Sequence, residues 1–254
     1  MNNRLPALFS VAFLFCLTGV GWSAADAAES AKKLSGYELE QLTSLNGKYR
    51  VYVCPDAVRV DHLSYGFSFI SKAPLWDVLV FRPDSRQYAQ VSYKDWMKTN
   101  LILVSTLWTM ELKKPLSSRH FEQSGQPYIN YVFPSTSVTG GYFRGDRGND
   151  FKSLENNRGE VTSLDFPADI HAGSVIGRAV CLPELRGVPV QVTRRSATVN
   201  SWTLKTIKTK SSEAIPVELF TLPAGYKKIA FSRSLFSSST QKEDIDDFFG
   251  MGAK

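Results

Sequence analysis

The run Lys48-Tyr49-Arg50-Val51-Tyr52-Val53-Cys54, followed after Pro55-Asp56 by Ala57-Val58-Arg59-Val60-Asp61, decides the class of fold. Tyr49, Val51 and Val53 alternate with Arg50 and Tyr52, and Val58 and Val60 alternate with Arg59 and Asp61. A period of two places successive side chains on opposite faces of an extended chain, so each run reads as a half-buried strand. Phe67–Ile70, Trp76–Phe81 and Arg86–Val91 continue the series. Lys72-Ala73-Pro74 and Arg82-Pro83-Asp84-Ser85 separate them, which is turn chemistry at the spacing of an antiparallel meander rather than of βαβ units.

Working outward, the pattern changes on both sides. Upstream, Leu34, Tyr37, Leu39, Leu42 and Leu45 recur at near-helical spacing before Asn46-Gly47, which predicts a short N-terminal helix within residues 29–47. Downstream, Tyr93, Trp96 and Met97 share a helical face and Leu101–Leu107 is almost wholly apolar, so Ser92–Met110 is expected to be a helix that plugs or covers the sheet. Strands are expected again at Arg119–Glu122 and Tyr128–Phe133. Residues 139–172 then turn Gly-, Asp- and Asn-rich, the composition of a long loop or insertion. A last β block is expected at Val175–Leu182, Val188–Thr193, Val199–Thr209 and Val217–Thr221. Residues 232–254 read as a flexible Ser-rich linker and an acidic-aromatic tail, Glu243-Asp244-Ile245-Asp246-Asp247-Phe248-Phe249, either disordered or docking a partner.

The whole chain has 254 residues, 43% hydrophobic and 21% charged, which fits one globular domain and excludes collagen-like, disordered and multi-span membrane classes. The net charge of +6 is spread without the basic cluster of a nucleic-acid binder. Residues 1–28 read as a secretory signal: Arg4, the apolar run Leu5–Val20, then Ala25-Asp26-Ala27 for cleavage. That run is shorter than the ~18 to 20 residues of a retained membrane anchor, and Phe15 before Cys16 does not suit lipidation. The expectation is an exported protein, periplasmic or secreted, that does not span a membrane after cleavage.

Export leaves Cys54 and Cys181 in a compartment that permits oxidation, either as a disulfide or as two buried thiols. His62, His120 and His171 are far apart and lack zinc-ligand spacing, so no metal or cofactor is expected. No Gly-x-Ser-x-Gly, Ser-x-x-Lys or P-loop motif is present, and Arg144-Gly145-Asp146-Arg147-Gly148 reads as a polar turn; no catalytic residue is proposed and the expectation is a protein that is not an enzyme. The 16 Phe, 10 Tyr and 5 Trp, many in alternating strands, either fill a closed core or line an apolar cavity.

Trp202-Thr203-Leu204-Lys205-Thr206, followed by Ile215-Pro216-Val217-Glu218-Leu219-Phe220-Thr221-Leu222-Pro223-Ala224-Gly225-Tyr226, resembles the closing strands of the LolA/LolB-like family of periplasmic lipoprotein carriers and their exported relatives. Val58-Arg59-Val60-Asp61, Lys72-Ala73-Pro74 before Trp76, and Leu185-Arg186-Gly187-Val188-Pro189-Val190 fit the same order of elements. Ala73 departs from the pattern, since carriers tend to place an arginine there. The resemblance implies a mainly β (α+β) fold over residues 48–231: a curved antiparallel sheet forming an incomplete half-barrel with a helical plug or lid. It would shelter a lipid, acyl chain or lipoprotein, with wall residues Val60, Phe67, Phe69, Trp76, Val78, Tyr88, Trp202 and Leu204. Tyr93, Trp96, Met97, Leu101, Leu103 and Leu107 would form the lid. The alternative is an envelope interaction protein with a packed barrel and a partner-binding tail.

Overall fold

The computed structural model describes residues 33–44, 47–99, 114–134, 158–180, 182–195, 200–232 and 235–236. The expected signal, Leu101, Leu103 and Leu107, Cys181, residues 139–157 and the acidic-aromatic tail lie outside them. From Gly47 to Val91 the alternation becomes antiparallel pairing in sequence order: β2 (Gly47–Cys54), β3 (Ala57–His62), β4 (Phe67–Lys72), β5 (Val78–Arg82) and β6 (Gln87–Val91). A second meander follows with β7 (Ser117–Gln123), β8 (Gln126–Pro134), β9 (Arg158–Leu164), β10 (Val188–Arg195) and β11 (Asn200–Pro216).

The two meanders are joined by the segment expected to be a helix. Lys33–Thr43 is a strand, β1, paired with β2 on one side and β11 on the other. Its inward positions explain the misreading: Leu39 is inward, but so are Gln41 and Thr43, so polar residues hide the period of two. Gln41 is only 2% exposed, and its Nε2 donates to Pro189 O at 2.8 Å and Thr206 Oγ1 at 3.1 Å, which offsets the cost of burying an amide. Gly36 is needed where β1 crosses β2, because a Cβ there would stand 2.0 Å from Val53 O.

Among the described residues the sheet is open and twelve-stranded, in the order β12-β6-β5-β4-β3-β2-β1-β11-β10-β9-β8-β7. Of the strands described, only β12 (Lys227–Lys228), beside β6, is parallel to its neighbour. Helix α1 (Tyr93–Trp96) is one turn, capped by Ser92, whose Oγ accepts from Asp95 N. Helix α2 (Ile170–Arg178) replaces the strand expected from Val175, and β9 and α2 occupy the end of the expected insertion. Ala172 to Gly177 are all buried, and in nine residues the polar stripe of His171, Ser174 and Arg178 is too short to set a helical period against the apolar run from Val175. Val217–Phe220 is a 3₁₀ turn, not a strand; Arg59 donates to Leu219 O at 3.1 Å and ties it to β3. Strand β5 begins at Val78, after Trp76 in a left-handed conformation at φ 56°.

Helix α2 packs on β3, β4 and β10. The face of the sheet that α2 covers is its inner face. One apolar cluster lies on this inner face, from Ala89 of β6 through Val51 and Leu39 to Val190 of β10, and a second continues it around Val192, Leu204, Ile129 and Leu182. A third cluster, with Cys54, Ile70, Phe81, Ile215 and Phe220, lies on the outer face under the 3₁₀ turn. No helix among the described residues is long and apolar enough to cross a membrane.

Candidate functional site

The inner face is where the structure brings most of the expected wall together. Val60, Phe67, Phe69, Trp76 and Val78 belong to one buried cluster with Ala172, Val175 and Ile176 of α2. Leu204 stands in the adjoining inner cluster. Two expected wall residues point away. Tyr88 packs with Phe81 and Tyr226 on the outer face, because Ala89 takes the inward position of β6. Trp202 is 37% exposed, since the irregularity between Val192 and Thr193 puts it on the face opposite Leu204.

The face is covered. Of the expected lid, Trp96 is fully buried, with its ring 5.0 Å from that of Phe69 and its indole N–H donating to Val175 O at 3.2 Å. Tyr93 and Met97 pack against the same cluster. Arg178 closes the contact by donating from Nε to Thr99 O at 2.7 Å. Between α2 and the sheet remains a gap of about 10 Å³, counted as room for the centre of a water molecule, lined by Gln41, Tyr49, Val51, Val60, Ile176 and Leu204 among others. That is space for about one water and for no acyl chain.

At the N-terminal end of α2, Asp169 caps the helix by accepting from His171 N at 3.0 Å, and that bond is the main reason its carboxyl titrates below the ordinary range. The His171 ring stacks on Trp76 and meets Tyr93 edge-on, with centroids 5.9 and 4.6 Å away. Tyr93 donates to Glu184 Oε1 at 3.1 Å, and burial pushes its phenol up to about 12. These groups hold the helix, the cis Ala73-Pro74 turn and α1 together at one end of the sheet.

The other end of the cluster was not visible in the sequence. His62 is 2% exposed among the rings of Tyr49, Tyr65 and Phe67, with centroids 4.2, 4.5 and 4.8 Å away. Its Nδ1 accepts from Tyr65 N at 3.2 Å, which puts the neutral ring's proton on Nε2. Burial pushes its pKa down to about 4. Phe236 lies edge-on to Phe67 at 5.0 Å, and the buried Arg82 donates to Leu235 O at 3.4 Å. Leu235 and Phe236, expected in a flexible linker, are therefore core residues, 1% and 3% exposed. An apolar pair amid serines was the available signal.

Cys54 is a buried thiol, pushed up to about 11 mainly by burial. Cys54 faces the outer cluster, and Cys181, with which it either pairs or stands as a second thiol, lies outside the described residues. Among the described residues, no three His, Cys, Asp or Glu side chains gather as a metal site.

No protein-family model matches the chain, and no curated protein matches it. Among solved structures it is similar to an uncharacterized conserved protein from Thermus thermophilus, at 10% identity and a TM-score of 0.40, over 78% of this chain and 91% of that one.

Proposed function

We propose that this chain is an exported, non-enzymatic binding protein of LolA/LolB-like half-barrel form that shelters a lipid, an acyl chain or a lipoprotein on its inner face. The observation that carries this reading is the kind of cover that face has. A nine-residue helix, a one-turn helix and the pair Leu235-Phe236 lie over Val60, Phe67, Phe69 and Val78, where a packed sandwich would have a second sheet. An acyl chain that displaces α2 takes over its apolar contacts with the sheet, and the chain's buried methylenes, at about 0.8 kcal/mol each, offset the cost of exposing the apolar face of α2. On this reading α2, with Ile176, is the plug, and Tyr88 and Trp202 leave the wall.

The test is native mass spectrometry with organic extraction on protein purified after export and without detergent. A co-purifying lipid or acylated peptide is the expected result. Ligand-free protein that also fails to take up a hydrophobic dye would sink the reading. The small gap beneath α2 favours a second reading, an envelope interaction protein with a packed core and a partner-binding tail. Deleting residues 243–254 separates the two: the first reading predicts unchanged ligand content, the second a lost partner in pull-downs.

A further inference from the structure

The outer face of β1, β2 and β11 carries a charge pattern that the acyl-binding reading does not use. In β1, Leu39 and Gln41 point inward, so Glu38, Glu40 and Leu42 point outward. The register sets Lys210, Lys208 and Lys205 of β11 opposite these three on one side, and Tyr52, Arg50 and Lys48 of β2 on the other. Over this stretch five cations face two carboxylates. Glu40 is held by Lys48 at 2.9 Å and Glu38 by Arg50 at 3.9 Å, so the excess positive charge falls along β11.

The same strand bears two of the chain's exposed large apolar residues, Trp202 at 37% and Ile207 at 48%. Ile207 stands at a register irregularity opposite Glu40 and Gln41, where two residues of β1 face three of β11. The Lys205 ammonium lies 4.7 Å from the Trp202 ring centroid, which confirms that both stand on the outer face.

We propose that this outer face docks on an anionic lipid bilayer. The pattern is not the deep, ridged basic cleft of a nucleic-acid site; it is a broad sheet surface with an indole and a branched aliphatic chain among lysines. An indole is amphipathic and partitions to the headgroup level of a membrane. Lysine stems lie along apolar surface while their ammonium groups reach phosphate. A negatively charged leaflet attracts each such lysine strongly enough to change partitioning about fivefold. The surface lies opposite the face that α2 covers, so this inference does not depend on acyl binding, and either can fail alone.

The test is co-sedimentation of the exported protein with vesicles of phosphatidylcholine alone and of phosphatidylcholine mixed with phosphatidylglycerol, at low and high salt. The expected result is binding to the mixed vesicles only, weakened by salt. Replacing Lys205, Lys208 and Lys210 together by Gln should lower that binding about a hundredfold, and Trp202→Ser severalfold, both without a change in circular dichroism or melting temperature. Equal binding to both vesicle types, no binding by the wild type, or undiminished binding by the folded triple variant would each overturn the proposal. A variant that misfolds is replaced by Lys205→Gln with Lys208→Gln alone, judged by the same criterion at about a twenty-five-fold loss.

Discussion

Strands β4 and β7 are both antiparallel members of one sheet, yet every residue of β4 but Lys72 is buried and no residue of β7 is. Their backbones make the same kind of hydrogen bonds. What differs is cover. Inside, β4 lies against α2 and α1; outside, the 3₁₀ turn packs on it, so Phe69 and Ile70 are buried on opposite faces. Strand β7 pairs only with β8 among the described residues, and Phe121 stacks on Tyr128 with one side toward solvent. Burial, not strand pairing, separates the covered strands of this sheet from its exposed edge, β7.

The largest effect should come from removing a ring in the covered strands. Phe69→Ala, which leaves a hole beside Trp96, should cost about 3–5 kcal/mol in urea unfolding. Phe121→Ala should cost less than about 1 kcal/mol, because its ring is only partly buried and little cavity is left. If the two midpoints moved equally, the division of the sheet would be wrong. Next comes Gly173→Ala, which attacks the cover itself. A Cβ there would sit 2.0 Å from the backbone oxygen of Gly187, which cannot swing aside as a side chain does. Lifting α2 should cost toward the upper end of about 1–3 kcal/mol, and hydrogen exchange should rise in α2 and β10 while β7 and β8 keep their rates.

His62 sharpens the contrast through pH. Its folded pKa of about 4 lies below its ordinary 6.5, so the native ring stays neutral while the unfolded chain binds a proton. The contribution is therefore fully present above about pH 6.5 and is lost as pH falls toward 4. At about pH 5 the loss should be about 2 kcal/mol. His62→Phe should flatten that part of the stability profile between about pH 7 and 5; an unchanged slope would mean that the ring reaches water when the protein is folded.

The same contrast explains what could be read in advance. From Lys48 to Asp61 the chain alternates because β2 and β3 have their own inward and outward residues, and beyond them the turn residues bound β4, β5 and β6 although β4 is buried on both faces, so there strands were legible almost to the residue. Alternation failed where burial was not one-sided or not apolar. Strand β1 buries Gln41 and Thr43, whose polarity imitates a helix period, and α2 is so short that its polar stripe of His171, Ser174 and Arg178 does not stand out beside the buried run from Ala172 to Gly177. At the inner site, Val60, Phe67, Phe69, Trp76, Val78 and Trp96 were found because they are apolar and sit in or beside regular strands. His62, Leu235 and the switched faces of Tyr88 and Trp202 depend on register and on a chain end folding back, which no local pattern encodes.

The smallest predicted effect is the one that tells the two faces apart most sharply. Lys205→Met removes an ammonium from above the Trp202 ring but keeps the aliphatic stem that shields the indole. At an exposed site a cation–π contact contributes about 0.5–1 kcal/mol. The replacement regains part of that through apolar contact, so the net change in stability should stay within about 0.5 kcal/mol. The methyl end of methionine is no worse a strand residue than lysine, and the Gln191 pairing across the backbone is unaffected by the exchange. A differential melting measurement should therefore find Lys205→Met indistinguishable from wild type, while Val192→Ala, one residue beyond Gln191 and paired with the buried Leu204, melts clearly earlier. A large loss at Lys205 would mean that the outer face of β11 carries structure as the inner face does, and the difference between the two faces would then have to be sought in chemistry other than burial.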